Sequence, residues 1–200
     1  MGQKIMGKTV FLAGLLSLFL ALSPGMGLSS ERNTRTSVYM GSTVISHGGA
    51  KSVGNTFGVG WGVSLSESLL FNISGSTSST SGEVADGAAS YPITANTLTG
   101  KMGMTHFLGG NDRSIFVPFY TAGLSVISYE ILFDYPGSDI GTTSGTAPGA
   151  FGGLGIELRM GSNLTFIPQY RVDAHNIRNE AGDSIFLRSD GVLISIRIRA

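Results

Sequence analysis

A strict alternation of large apolar residues with small or polar residues constrains the fold of this chain most. In the segment 56–65 (TFGVGWGVSL), every odd position from Phe57 to Leu65 carries a large apolar side chain, and glycine or serine lies between them. Successive side chains of a β-strand point to opposite faces, so a period of two predicts a strand. Glycine on one face favours close packing inside a narrow structure.

The same period recurs along the chain and predicts eight strands. The segment 192–199 alternates most regularly, with four aliphatic residues set against Ser195, Arg197 and Arg199 on the other face. In the clearer strands, charged residues share a face with glycine, serine and threonine, and none interrupts the apolar face. The predicted strands lie at 36–46, 56–65, 69–77, 98–108, 116–128, 152–160, 164–172 and 192–199.

Alternation alone does not separate a soluble sheet, which buries its apolar face, from a membrane barrel, which turns that face to lipid. The predicted connections favour the membrane barrel, because longer and shorter ones alternate, which is typical of outer-membrane barrels. Strands of about 9–13 residues also match the roughly 9–11 residues that a tilted strand needs to span a bilayer. The predicted connections are 47–54, 66–68, 78–94, 109–114, 130–150, 161–163 and 174–186.

We therefore expect an all-β fold, an eight-stranded antiparallel up-and-down transmembrane β-barrel, over residues 28–200. Aromatic residues within the strands should lie outward at the membrane–water boundaries. These are Tyr39, Trp61, Phe71, Tyr120, Phe166 and Tyr170. The side chains expected to face lipid are Phe57, Val59, Trp61, Val63, Leu65, Ile194, Ile196 and Ile198.

The polar faces predict an ionic network in the lumen, because an eight-stranded barrel has room for little beyond its own side chains. Glu157 lies shortly before the turn 161–163, and Arg197 lies near the C-terminus, which antiparallel order puts at the same end. The alternative is that the arginines are solvated at the rim. The expected members of the network are Lys101, Glu157, Arg159, Arg171, Arg197 and Arg199.

The N-terminal segment predicts a secretory signal peptide over residues 1–27, cleaved before Leu28. Lys4 and Lys8 precede an uncharged run at 10–22, which is shorter than the 20 or so residues that a membrane-spanning helix needs. The alternative is an uncleaved anchor helix.

Composition excludes several classes of protein. Cysteine is absent, which removes disulfides, cysteine-ligated zinc and thiol catalysis. Acidic and basic residues balance at 13 each, so no nucleic-acid partner is expected. The three histidines, at 47, 106 and 175, lie about 60 residues apart, and this spacing does not predict a metal site. We expect His47 and His175 in or beside exposed loops, and no cofactor.

Three runs resemble the family of small bacterial outer-membrane β-barrels, with its OmpA-like and OmpX-like members. They are PFYTAGLS at 118–125, GAFGGLGIELRMGSNLTF at 149–166 and GVLISIRIRA at 191–200. The resemblance implies an outer-membrane location, a monomer, contact with lipid and lipopolysaccharide, and insertion by the barrel-assembly machinery. The chain departs from the family at Ala200, where an aromatic residue is usual.

The resemblance also implies a non-enzymatic role in envelope structure, envelope stability or adhesion-like surface interaction, with a lumen filled by side chains. Lipid A deacylases share the architecture and carry a His-x-Ser-Asn motif, but here Ile177 takes the serine position after His175, so a base would have no hydroxyl to activate. Segments 78–94 and 130–150 are expected to be loops, either binding an extracellular ligand or simply solvated. Two alternatives stay open: a narrow channel, and a soluble periplasmic barrel that binds a small apolar ligand.

Overall fold

The computed structural model describes residues 34–47, 50–86, 89–109, 114–134, 141–161, 163–178 and 184–199, and at a few strand ends only the backbone is described. The described residues form eight antiparallel strands, each hydrogen-bonded to the next, and β8 pairs with β1 to close a barrel. The strands are β1 (Thr34–His47), β2 (Ala50–Ser64), β3 (Leu69–Asp86), β4 (Ala89–Phe107), β5 (Phe116–Phe133), β6 (Gly141–Met160), β7 (Leu164–Arg178) and β8 (Ser184–Arg199).

The predicted fold class, an eight-stranded antiparallel barrel, is therefore confirmed. The predicted signal peptide at 1–27 lies outside the described residues. Within the described part of the chain, no helix is long and apolar enough to cross a membrane.

The barrel has two ends, which differ in the connections they carry. We call the end with the connections 65–68, 108–115 and 161–163 the turn end, and β1 begins and β8 ends there. The far end carries the connections 48–49, 87–88, 134–140 and 179–183.

The predicted long loops at 78–94 and 130–150 are wrong, because most of both segments is strand. β3 and β4 pair without interruption from Leu69↔His106 to Asp86↔Ala89. These segments are rich in serine, threonine and glycine, so they lack the apolar alternation that marks the other strands, but the backbone ladder continues through them. The predicted alternation of long and short connections is also wrong, since the far end carries the two shortest connections.

Near the turn end, the barrel has an apolar outer surface and a largely polar interior. Outward side chains form a belt around all eight strands, which we call the outer band. Ile196 is 52% exposed in this band, beside Val38 of β1 and Phe166 of β7. Inward neighbours such as Ser125, Thr121 and Ser195 are buried. This arrangement inverts that of a soluble barrel.

Toward the far end, the polarity of the two faces reverses. Ten inward residues form a buried apolar cluster, the far-end core, while outward positions such as Ser79, Ser81, Glu83 and Ser144 are exposed and polar. This part of the barrel is built like a soluble β-barrel, with its apolar side chains inside. The far-end core comprises Ile45, Ala50, Ile93, Ala95, Ile127, Tyr129, Ile131, Ala147, Ile177 and Leu187.

Candidate functional site in the barrel lumen

The expected lipid-facing residues all lie on the outer surface. Phe57, Ile194, Ile196 and Ile198 are exposed strand residues, and Leu65 is exposed at the start of the turn 65–68. The remaining three, Val59, Trp61 and Val63, are half-buried on the same face of β2.

One of the expected outward aromatics lies inside the lumen instead. Tyr39 is 3% exposed, its hydroxyl donates a hydrogen bond to the carbonyl of Gly75 at 3.3 Å, and its ring lies 5.0 Å from the guanidinium carbon of Arg171. Its neighbours Val38 and Met40 take the outer face, so strand alternation places Tyr39 inward. The other five aromatics lie on the outer face, exposed or half-buried.

The lumen holds its charges in two clusters rather than the single network expected. The glutamate cluster lies near the turn end and centres on Glu157, which is 1% exposed. Arg197 forms an ion pair with its Oε1, the Nη1 of Arg35 lies 3.4 Å from the same oxygen, and the Nε of Arg159 lies 3.7 Å from Oε2. Arg35 also stacks on Phe107, with 5.3 Å between the guanidinium carbon and the ring centroid.

The second group, the aspartate cluster, centres on Asp173. Lys101 Nζ lies 3.2 Å from Asp173 Oδ2, and Arg171 Nε lies 3.6 Å from the same oxygen. The expectation that Lys101 and Arg171 share a network with Glu157 is therefore wrong. Both cations instead form ion pairs with Asp173, which is nearer and lies on the same face of β7 as Arg171. The side chain of Arg199 lies outside the described residues.

His175 continues this buried polar row, contrary to the expected exposed loop. It is 1% exposed, and its Nε2 lies 3.0 Å from the hydroxyl of Ser125. A cavity of about 10 Å³ adjoins His175, Asp173 and Lys101, which is room for about one water molecule. Ser125 and His175 thus face each other inside the lumen, and Ile177 belongs to the far-end core.

A second, larger cavity of about 60 Å³ lies between the two charge clusters. Arg35, Arg171 and Arg197 border it, together with the side-chain amides of Asn72 and Gln169. Six residues with hydroxyl groups also line it. They are Ser37, Tyr39, Ser74, Thr105, Thr121 and Ser195.

Sequence reasoning missed Arg35, Asp173 and His175 because all three fall just outside the strand limits predicted for β1 and β7. Residues 171, 173 and 175 lie on one face of β7, so extending the same alternation would have found them. Among residues with described side chains, no three histidine, aspartate or glutamate residues form a group that could hold a metal ion.

Comparisons with known proteins support the fold. No protein-family model matches the chain, and no curated protein matches it. The crystal structure of neisserial surface protein A is similar over 84% of this chain and 97% of that chain, with 13% identity and a TM-score of 0.59. The outer membrane protein OprG from Pseudomonas aeruginosa is similar over 86% of this chain and 98% of its own, with 11% identity and a TM-score of 0.54.

The outer-membrane location predicted from the sequence agrees with these similarities and with the outer band. The chain therefore has the fold of the eight-stranded bacterial outer-membrane β-barrels.

Proposed function

We propose that this chain is an integral outer-membrane protein whose barrel is closed to solutes, and which serves the envelope structurally and interacts at the cell surface through its far end. The observation that carries the proposal is the reversal of polarity along the barrel. An apolar outer band around a polar interior suits lipid, and polar outer walls around the far-end core suit water.

The outer band argues against a soluble periplasmic barrel. Large apolar residues such as Leu124, Leu154 and Ile198 are 59% or more exposed, and they belong to a belt that continues around the barrel. Monomeric soluble proteins rarely expose continuous apolar patches of more than a few hundred Å². We infer that acyl chains cover this belt, with lipopolysaccharide as the surrounding lipid of the outer leaflet. Insertion by the barrel-assembly machinery, and a monomeric state, are parts of the same proposal.

Membrane extraction tests this location. After alkaline extraction, the chain should stay in the outer-membrane fraction, and folding of the purified chain should require detergent or lipid. Release by alkali, or refolding in plain buffer to a compact form that shifts on heating in a gel assay, would contradict the membrane assignment.

Two layers of side chains in series argue for a closed lumen. The glutamate cluster fills the lumen near the turn end, and the far-end core fills it near the other end, with Ile131 and Leu187 1% exposed or less. The alternative function, a narrow channel, draws on the two cavities between these layers. A channel would require both layers to open.

Planar-bilayer recording separates these functions. The wild-type protein should have no stable open state, and Glu157→Ala should also stay closed because the far-end core is intact. Glu157→Ala should still destabilise the barrel by about 3–5 kcal/mol, since it removes the carboxylate that three guanidinium groups share. A large, stable conductance of the wild type would favour the channel.

In the proposed surface role, an extracellular ligand would bind at the far end. There the outer walls of β3 to β6 carry exposed serine, threonine and glutamate side chains rather than long loops. Substitution of Ser79 and Ser81 by lysine should reduce binding of intact cells to a host matrix. Serine-to-lysine substitutions at the turn end should leave that binding unchanged. Unchanged binding would contradict the adhesive role.

A further inference from the structure

The described side chains of the lumen clusters carry more positive than negative charge. Among residues with described side chains, Glu157 and Asp173 are the carboxylates of the two clusters, against five cationic groups. Buried charges are costly unless opposite charges or hydrogen bonds compensate them. An anion placed beside several of these cations would therefore be stabilised by their charge. The five cationic residues are Arg35, Lys101, Arg159, Arg171 and Arg197.

The cavity of about 60 Å³ is where the positive field and open space coincide. Three guanidinium groups from three different strands border it, whereas neither Glu157 nor Asp173 does. Arg35 and Arg171 are each more than nine-tenths buried. Low-dielectric walls strengthen the attraction of these cations for an anion in the cavity.

The remaining polar lining supplies hydrogen-bond donors. Asn72 Nδ2 donates to Thr105 Oγ1 at 2.9 Å, and Gln169 Nε2 lies 3.4 Å from Ser195 Oγ. Each amide nitrogen has a second hydrogen to donate, and each hydroxyl can rotate to point its hydrogen at an acceptor. Planar guanidinium groups suit oxyanions in particular, because two parallel N–H groups match two oxygens.

The cavity volume limits the size of the anion. One water molecule needs about 10–15 Å³ on the same measure, so about 60 Å³ has room for roughly four to six atoms of that size. A tetrahedral inorganic oxyanion has five heavy atoms. We propose that the lumen cavity between the two charge clusters is a binding site for a small inorganic oxyanion of the phosphate or sulfate class.

The test uses the full chain folded in uncharged detergent, titrated with sodium phosphate or sodium chloride at equal ionic strength. Phosphate should bind at one site by calorimetry and should raise the thermal midpoint in proportion to the logarithm of its concentration, because a ligand that binds only the folded state stabilises it. Chloride should leave the midpoint nearly unchanged. A midpoint that does not respond to phosphate, or that responds equally to chloride, would overturn the proposal.

A matched pair of substitutions tests whether phosphate binds in the lumen cavity. Asn72→Asp puts a carboxylate of nearly the same shape into the cavity and should lower phosphate affinity at least tenfold, through charge repulsion. Asn96→Asp makes the same change on the outer wall, where Asn96 accepts a hydrogen bond from Ser79 at 2.9 Å, and should retain wild-type affinity. Equal affinities of the two variants would contradict a site in the lumen.

Two further measurements address a variant that fails to fold and a competing lipid ligand. If Asn72→Asp does not fold, Gln169→Glu makes the same change from β7 and should abolish binding while the folded form persists. Glycerol 3-phosphate represents the phosphate of a phospholipid headgroup together with its glycerol unit. It should bind more weakly than free phosphate because the cavity is too small for it. Equal or tighter binding of glycerol 3-phosphate would assign the site to lipid headgroups and overturn the free-ion proposal.

Discussion

Inward aromatic rings and glycines are paired between neighbouring strands of this barrel. The ring of Tyr39 lies over Gly58 of the adjacent β2, so that a Cβ at Gly58 would overlap the ring and approach the Gly75 carbonyl. The ring of Phe151 on β6 likewise lies over Gly123 of the adjacent β5, and it reaches Gly103 on β4. The glycine-rich strand faces noted in the sequence are therefore the places where large side chains fit inside a narrow lumen.

Gly58→Ala should destabilise the barrel by about 1–3 kcal/mol, because the added methyl group overpacks a filled site and displaces Tyr39. Gly100→Ala is the matched control, since a Cβ at Gly100 meets no atom within 4 Å. Urea unfolding in detergent or lipid measures both variants, and Gly100→Ala should differ from wild type by less than about 0.5 kcal/mol. Equal effects of the two substitutions would contradict the close packing of Tyr39 over Gly58.

At the scale of the strands, the described elements contain 14 to 20 residues each, which exceeds the roughly 9–11 residues needed to span a bilayer. The excess lies mainly toward the far end, where the outer face becomes polar. Each long strand therefore serves two environments. Its turn-end half carries part of the outer band, and its far-end half contributes to a wall of the soluble type.

Sequence alternation was a reliable guide where the two faces differ in polarity, and an unreliable one elsewhere. It located parts of all eight strands and the opposition of Glu157 and Arg197. It did not follow β3 and β6 through 78–86 and 141–151, because serine, threonine and glycine there give both faces similar polarity. The partition of cations between Glu157 and Asp173 depends on distances across the lumen, which strand spacing alone does not determine.

A charge placed at Ile196 tests the outer band. Ile196→Arg should destabilise the folded barrel by roughly 2–4 kcal/mol if the site lies near the bilayer midplane, because the arginine would enter hydrocarbon. Ser144→Arg is the matched control on the exposed, polar outer face of β6, where the cost should be about 0–1 kcal/mol. Reversible unfolding in lipid vesicles measures both. A similar cost at the two positions would argue that Ile196 does not contact lipid.

On the scale of the whole molecule, the two ends of the barrel differ in what closes them. The turn end carries the glutamate cluster and a small apolar group that includes Phe107, Phe119 and Ile167. The far end holds the larger far-end core, inside walls that are polar outside. A barrel of this shape would project beyond the bilayer at its far end, since only the outer band matches lipid.

Epitope insertion tests this orientation. A tag inserted at 87–88 or within 134–140 lies at the far end and should be labelled on intact cells, because we expect those polar walls to stand outside the outer membrane. A tag within the turn 65–68 lies at the opposite end, next to the first residues of β1, and should be labelled only after permeabilisation. Connection length does not support this orientation, because the two shortest connections lie at the far end. The polarity of the outer walls is the reason to expect the far end outside. Labelling of the turn 65–68 on intact cells, with protection of 87–88, would reverse the orientation and move the proposed surface contacts to the periplasm.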